Sequence, residues 1–299
     1  MAIGTANGYN NLPSGNWLPA IYSQKVQKFF RTASVVEDIT NTDYAGEIEA
    51  YGDTVNIIKE PTITVSSYTR GAQIAPQNLA DDQIQMVVDQ ANAFAFKVDD
   101  IEERQAHVNW EALATSSGAY ALKDSYDANV IAAMFAGAGT TTGSDGSGAD
   151  VGFGSSEVDP MDILATAAKN LHGADIPTDN RWFLASPEFY EQLGNASSKL
   201  MDASITGDGT SPLRNGSVLN GLVNGFKLYM TNNFAASSTS NYVKVMFGHM
   251  SSTATANAIA KTEVIRDPDS FSDIVRGLHV FGRKVLRSEA LQARHLLID

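Results

Sequence analysis

The residues of this chain that could do chemistry are five histidines, a group of aspartates around one turn and a glycine-rich loop. His107, His172, His249, His279 and His295 show none of the close pairing by which imidazoles hold zinc, so each reads as a surface or core residue. Asp267, Asp269 and Asp273 flank the turn "DPDSFSD" and could offer oxygens to a hard cation. The glycine and terminal glutamate of a calcium-binding loop are missing, and aspartate is an ordinary turn residue, so turn chemistry is the better reading. The loop "GAGTTTGS" lacks the lysine of a phosphate-binding G-x-x-x-x-G-K-[ST] motif and reads as a flexible linker. Neither G-x-S-x-G nor H-E-x-x-H occurs. The sequons at Asn195 and Asn215 have meaning only in a secreted protein. No catalytic, cofactor or metal site emerges, and a protein that is not an enzyme is expected.

Composition narrows the classes further. The chain has 299 residues, enough for a sizeable core, with 43% hydrophobic and 18% charged residues. It has no cysteine, which removes disulfides, thiolate metal sites and cysteine nucleophiles. Net charge is −13, and all of it lies in residues 1–160, where 8 Lys/Arg face 21 Asp/Glu. Gripping nucleic acid needs a basic face, so phosphate-directed binding is disfavoured. No apolar run is long enough to span a membrane, and the N-terminus lacks the basic and apolar regions of a signal peptide.

The elements read as α+β, or mixed α/β. Residues 17–36 hold a short amphipathic pattern (Ile21, Val26, Phe29, Phe30) behind Pro19. A strand begins at Val55 and Ile57 and is interrupted by Pro61. The chain then runs through "KEPTITVSSYTRGAQIAP", turns at Arg70-Gly71 and returns. The return strand alternates from Ile84 to Val98, some fifteen residues or about 50 Å. A two-stranded ribbon of that length is marginal on its own, so its distal part must lie on something else. A long helix is expected from Asp100, as N-cap with Glu103 completing a capping box, to residue 135. It carries two apolar stripes, Ile101/Val108/Leu122/Tyr126 and Trp110/Leu113/Tyr120/Ile131/Met134. Residues 136–156 form a Gly/Ser/Thr loop and a subdomain boundary. A helix follows, with Asp159 as cap, Pro160 in the first turn and Gly173 as stop. Next come the buried strand "RWFLA" and a second helix behind Ser186-Pro187. Strands are expected at Phe226–Met230, Val243–Phe247, "KTEVIR" and around Ile274–Arg287.

Five stretches in this order resemble the HK97-fold major capsid proteins of tailed bacteriophages. "NWLPAIYSQKVQKFFRTASVVEDITNTDYAGEIEAYGDTVNI" resembles the N-arm leading into the extended loop, and "DQANAFAFKVDDIEERQAHVNWEALA" the return strand running into the spine helix. "IPTDNRWFLASPEFYEQL" and "GLVNGFKLYMTNNF" resemble the axial domain. "IRDPDSFSDIVRGLHVFGRKVLRSEAL" resembles the closing strands of the peripheral domain.

The resemblance implies an HK97-like organisation: an N-terminal arm (1–45), an extended β-hairpin loop (46–98), a peripheral domain with the spine helix (99–150), an axial domain (151–250) and closing peripheral strands (251–299). It implies a structural protein that self-assembles through pentamers and hexamers into the icosahedral shell around a double-stranded DNA genome, without sequence-specific binding, cofactor or membrane. Such a shell belongs to the virion and is assembled in the bacterial host cytoplasm. Implied contacts between subunits are Lys59, Ile63, Val65, Tyr68, Arg70 and Ile74 at the extended loop, and Trp17, Ile21 and Tyr22 in the N-arm. Lys199, Asp202, Asp208 and Arg214 would lie in the loop at the capsomer centre. A charged helical scaffolding segment found in some relatives is missing, so either prior cleavage or a separate scaffolding protein is expected, with portal and decoration proteins as further candidate partners. Lys59 reads as a surface lysine rather than a covalent crosslink site. Two other readings are an encapsulin-like nanocompartment shell, separable by what purified particles contain, and a soluble α/β enzyme, separable by an active monomer.

Overall fold

A computed structural model of the chain describes residues 34–44, 53–61, 63–71, 73, 76–78, 83–99, 110–195, 197 and 222–298. Two main sheets, of seven and three strands, organise these residues, and a two-stranded hairpin forms a third. The larger is built on β6 (Arg181–Ala185), the "RWFLA" strand, and all five of its residues are buried. Strand alternation sends Phe183 and Ala185 into one core and Trp182 and Leu184 into the other, so β6 is apolar on both faces. On one side β6 pairs parallel with β8 (Phe226–Met230), which forms a hairpin with β7 (Leu222–Val223). Asn224 (φ 50°) and Gly225 (φ 83°) supply the left-handed backbone of that two-residue turn. On its other side β6 pairs antiparallel with β9 (Tyr242–His249), and β9 with β12 (Leu291–Ile298).

Two helices cover one face of this sheet. α3 (Pro160–Gly173) starts as its sequence predicts: Pro160 opens it and the Asp159 carboxylate accepts the Met161 N–H at 2.7 Å. α4 (Pro187–Leu193) starts at Ser186, but that hydroxyl makes no capping bond and is buried without a partner. Ile163, Leu164, Ala167 and Leu171 of α3 and Phe189 and Leu193 of α4 pack against Phe183, Phe226, Leu228 and Phe247. The opposite face meets α1 (Val36–Ile39) and the C-terminal half of α2 (Trp110–Ala136) through Val36, Ile39, Tyr126, Val130, Ile131 and Met134.

The long helix is therefore present over Trp110–Ala136, while its expected cap at Asp100 lies outside the described residues. Both expected stripes contribute to its burial, Tyr126 from one and Ile131 and Met134 from the other. Leu122 and Tyr120, nearer its start, are only half-buried.

The smaller sheet has three strands. Strand β10 (Thr253–Arg266) extends the expected "KTEVIR" strand back through the alanine-rich segment, and β11 spans Ser272–Val285. Strand β3 (Gln90–Asp99) pairs antiparallel with β11 from Ser272↔Asp99 to Phe281↔Gln90, giving the order β10–β11–β3. Its Phe94 ring lies between two glycines. A Cβ on Gly277, directly opposite, would collide with the ring, and one on Gly118 of α2 would come within 2.7 Å of it. The lone glycine inside the helix is thus a packing site.

Two expectations are corrected. The return strand is not one continuous ribbon. It divides into β2 (Gln83–Val87), paired with β1 (Thr54–Ile58), and β3, paired with β11. The break falls at Val88-Asp89, where buried Val88 donates its N–H to the Asp53 carbonyl at 3.1 Å and the chain passes from one sheet to the other. Its last ten residues are thereby stabilised within the chain. The glycine-rich loop is not a simple linker either. Its two short strands, β4 (Thr140–Thr142) and β5 (Ala149–Val151), pair parallel with β12. A Cβ on Gly148 would collide with the His295 carbonyl oxygen, so this glycine permits close backbone approach. Strand β12 itself was not foreseen, although it lies inside the larger sheet.

Candidate intersubunit surface

The β1–β2 hairpin is anchored at one end and uncovered along the rest. At its base, Val55 and Met86 face each other across the ladder and are buried with Val88, Ala254, Ala256 and Val280. A cavity of about 340 Å³ lies beside this base, between Tyr44, Ile57, Ile84 and Leu286, with Lys59, Glu60, Arg287 and Glu289 also lining it. Strand pairing ends at Ile58↔Gln83. Beyond it the described residues 59–61 and 63–71 have no regular structure apart from the turn at Arg70-Gly71, where Gly71 has φ 86°. Ile58 is 79% exposed, Ile63 70%, Val65 93% and Tyr68 64%. Single exposed apolar residues are ordinary, but four along one protruding segment form a surface that its own chain leaves uncovered. Two hydrogen bonds stay within the arm: Thr64 N–H to Gln77 Oε1 at 2.9 Å and Gly71 N–H to the Tyr68 hydroxyl at 3.4 Å.

The structure thus brings Lys59, Ile63, Val65, Tyr68 and Arg70 onto one exposed arm, whereas Ile74 lies outside the described residues. Trp17, Ile21 and Tyr22 of the expected N-arm, and Lys199, Asp202, Asp208 and Arg214 of the expected central loop, also lie outside them. The described chain enters at Ser34, whose hydroxyl donates to Asp127 Oδ1 at 2.8 Å, while Val35 N–H donates to Oδ2 at 3.3 Å. Burial pushes the Asp127 carboxyl up, and these two hydrogen bonds oppose it. An aspartate of α2 therefore holds the backbone and side chain of residues 34 and 35 against the body.

A second apolar projection escaped the sequence reading. The β10–β11 hairpin ends in a turn where Phe271 is 80% exposed, close in the chain to exposed Val264 and Ile265. This tip is held stiffly. Asp267 accepts from Lys97 of β3, from the Asp269 N–H at 3.0 Å and from the Ser270 hydroxyl at 2.8 Å. These donors, Lys97 foremost, hold its carboxyl well below the usual range. Arg266 pairs with Asp273 at 3.0 Å and Arg276 with Glu263 at 2.8 Å along the shaft. Lys261 and then Arg276 bring the Glu263 carboxyl down to about 2. Of the three aspartates read as turn chemistry, the Asp267 carboxylate holds the turn; Asp269 contributes its backbone N–H, and Asp273 lies in β11 paired with Arg266. The available signal for this site was a phenylalanine inside an otherwise polar turn.

Among the described residues, no group of three or more His, Asp or Glu could hold a metal ion. No helix among them is long and apolar enough to cross a membrane.

This architecture is shared with phage particle structures. A chain of Mycobacterium phage Che8 superposes with a TM-score of 0.78 and 29% identity, covering 93% of this chain and 97% of that one. A chain from the capsid of the cyanophage P-SCSP1u gives a TM-score of 0.75 at 15% identity, covering 100% and 99%. A chain from the mature capsid of bacteriophage PhiM1 gives 0.68 at 15% identity, covering 93% and 91%. No protein-family model and no curated protein matches the chain. The fold of the described residues is one found in phage capsids.

Proposed function

We propose that this chain is the major capsid protein of a tailed bacteriophage, a structural subunit that tiles with copies of itself into an icosahedral shell around double-stranded DNA. The observation that carries the reading is the uncovered arm, Ile58 to Tyr68, on a capsid fold: its apolar side chains have no core of their own to enter. In this reading the arm is the extended loop of an HK97-like subunit and lies across a neighbour. Residues 1–45 form the N-arm, α2 is the spine helix, and residues 151–250 make the axial domain with its loop at the capsomer centre. Pentamers and hexamers are the assembly units, and scaffolding, portal and decoration proteins are the further partners. Assembly takes place in the host cytoplasm and the protein ends in the virion. An excess of acidic residues suits a wall along which DNA slides.

Negative-stain microscopy of the expressed protein, with and without a co-expressed scaffold, tests this. Shells are expected from the intact chain. Deletion of residues 60–75 is expected to leave a folded monomer that forms none. Normal shells from the deleted chain would remove the role given to the arm, and protein cargo instead of nucleic acid in native particles would point to a nanocompartment.

A further inference from the structure

The two sheets are joined by two crossings that lie side by side. Strand β9 passes into β10 through a single 3-10 turn, Met250–Ser252. Strand β11 returns to β12 through a second, Ser288–Ala290. The crossings are tied together at Ser252, whose carbonyl accepts the Leu286 N–H at 2.8 Å and the Arg287 N–H at 3.1 Å. Met250 N–H donates to the Asn180 carbonyl at 3.2 Å and ties the first crossing to the start of β6.

His249 caps this joint. Its Nδ1 accepts the Ser251 N–H at 3.1 Å and lies 2.8 Å from the Ser251 hydroxyl. A ring nitrogen that accepts a backbone N–H carries no proton, so the proton of neutral His249 sits on Nε2. That atom is buried, and a hydrogen bond between the ring and the Asp179 backbone favours the charged form. A second proton would have to go on Nδ1, which could then donate to the Ser251 hydroxyl but could no longer accept the Ser251 N–H that makes the cap.

The surroundings also disfavour a second charge. Arg181 of β6 lies directly opposite His249 in the ladder and is 2% exposed. Its guanidinium donates to the Pro177 carbonyl at 2.6 Å and to the Ile176 carbonyl, with the Asp179 charge nearby. Arg287, from the second crossing, also repels a cation on His249, while Asp179, in the loop before β6, attracts one. Burial is the largest influence and lowers the His249 pKa from its ordinary value, with both arginines acting the same way and Asp179 opposing.

We propose that His249 is an acid-sensitive latch on the joint between the two sheets. Neutral, it caps the 250–252 turn and holds the crossing; protonated among arginines, it loses that cap and frees the crossing. The angle between the sheets, and with it the direction of the β10–β11 hairpin, then becomes adjustable below neutral pH without any change in either sheet.

Hydrogen exchange on the full chain tests this, with rates corrected for their intrinsic pH dependence. Between pH 7.5 and 5.5 the amides of Met250, Ser251, Leu286 and Arg287 are expected to lose protection several-fold, while β6 amides hold theirs. The variant His249→Asn keeps a short side-chain acceptor at the cap and cannot titrate, so its protection there is expected to stay flat. An unchanged wild-type joint, or the same loss in His249→Asn, overturns the proposal. Imidazole titration of the wild-type protein by NMR gives a check independent of any variant: His249 is expected to titrate below the ordinary histidine range, and a value at or above it also overturns the latch.

Discussion

The most direct perturbation is to make the arm polar without shortening it, by the triple substitution Ile63→Ser, Val65→Ser and Tyr68→Ser. These residues are 70%, 93% and 64% exposed, so the isolated subunit gains little from them. Exposed substitutions of this kind usually change folding stability by no more than about 0.5 kcal/mol. Burial against a neighbour is different. A fully buried side chain of this size contributes about 1.5–3 kcal/mol, and discounting for the part already covered leaves roughly 5 kcal/mol for the three together. At 1.4 kcal/mol per factor of ten, the assembly equilibrium should weaken on the order of a thousandfold for each arm that no longer seats on its neighbour. The assay pairs urea unfolding of the monomer with light scattering across protein concentration. The expected result is an unchanged unfolding midpoint and a critical concentration raised beyond the accessible range. Assembly at the wild-type concentration would show that the arm's apolar side chains are not what a neighbour covers. Loss of about 2 kcal/mol or more from the monomer would show that they pack at home, and the reasoning would fail at its first step.

Other consequences are as concrete. Gly277→Ala places a methyl where the Phe94 ring lies, and is expected to cost about 1–3 kcal/mol in monomer unfolding, with Phe94→Leu in the same chain restoring part of it. Asp127→Ala leaves the Ser34 hydroxyl and Val35 N–H without their acceptor and should cost about 1–3 kcal/mol, seen as earlier proteolysis near residue 34. Burial lowers the pKa of His249, His279 and His295, so the unfolded chain takes up protons first as pH falls. Their contribution to stability is whole above about pH 6.5 and is lost as pH drops through the lowered native values, so the urea midpoint should fall between pH 7 and 5. Substituting glutamine for His279 and His295 should flatten that fall, which separates the imidazoles from Asp127, whose raised carboxyl works in the opposite direction.

What the sequence revealed follows the range of the forces involved. Local signals were legible: Asp159-Pro160 opens a helix because cap and first-turn chemistry act within four residues, and "RWFLA" is buried because nothing in it tolerates water on either face. The arm was legible because sparse apolar residues around Pro61 cannot build a core. Long-range partnership was not. The alternation from Ile84 to Val98 runs with the same period across Val88-Asp89, and only the three-dimensional position of Asp53 and β11 decides that the chain changes sheets there. The strand of residues 291–298 was hidden because Gln292, Arg294 and His295 interrupt its apolar pattern. In the fold all three are nearly buried; Gln292 bonds to the Ala167 carbonyl and Arg294 lies over the Phe247 ring. The Phe271 tip was passed over because Asp and Pro explain the turn without it.

The break at Val88-Asp89 separates what the subunit stabilises from what it leaves open. Had the ribbon continued straight, β2 and β3 would have shared one partner strand, and the hairpin would have been free to twist along its full length. Instead β3 is fixed over ten residues to β11, and Phe94 is confined between Gly118 and Gly277, so the body is complete without the arm. Among the described residues, the arm's buried apolar side chains lie at its root, Val55, Met86 and Val88 in the smaller core. An element clamped at one end and unsupported beyond Ile58 keeps its direction near the body while its outer residues adapt to whatever covers them. Weakening the root should therefore harm assembly through orientation rather than through contact area. Met86→Ala is expected to cost about 2–5 kcal/mol of local stability, and to impair assembly even though Ile63, Val65 and Tyr68 remain in place. Normal shells from that variant would mean that the arm takes its direction from its neighbour and not from its root.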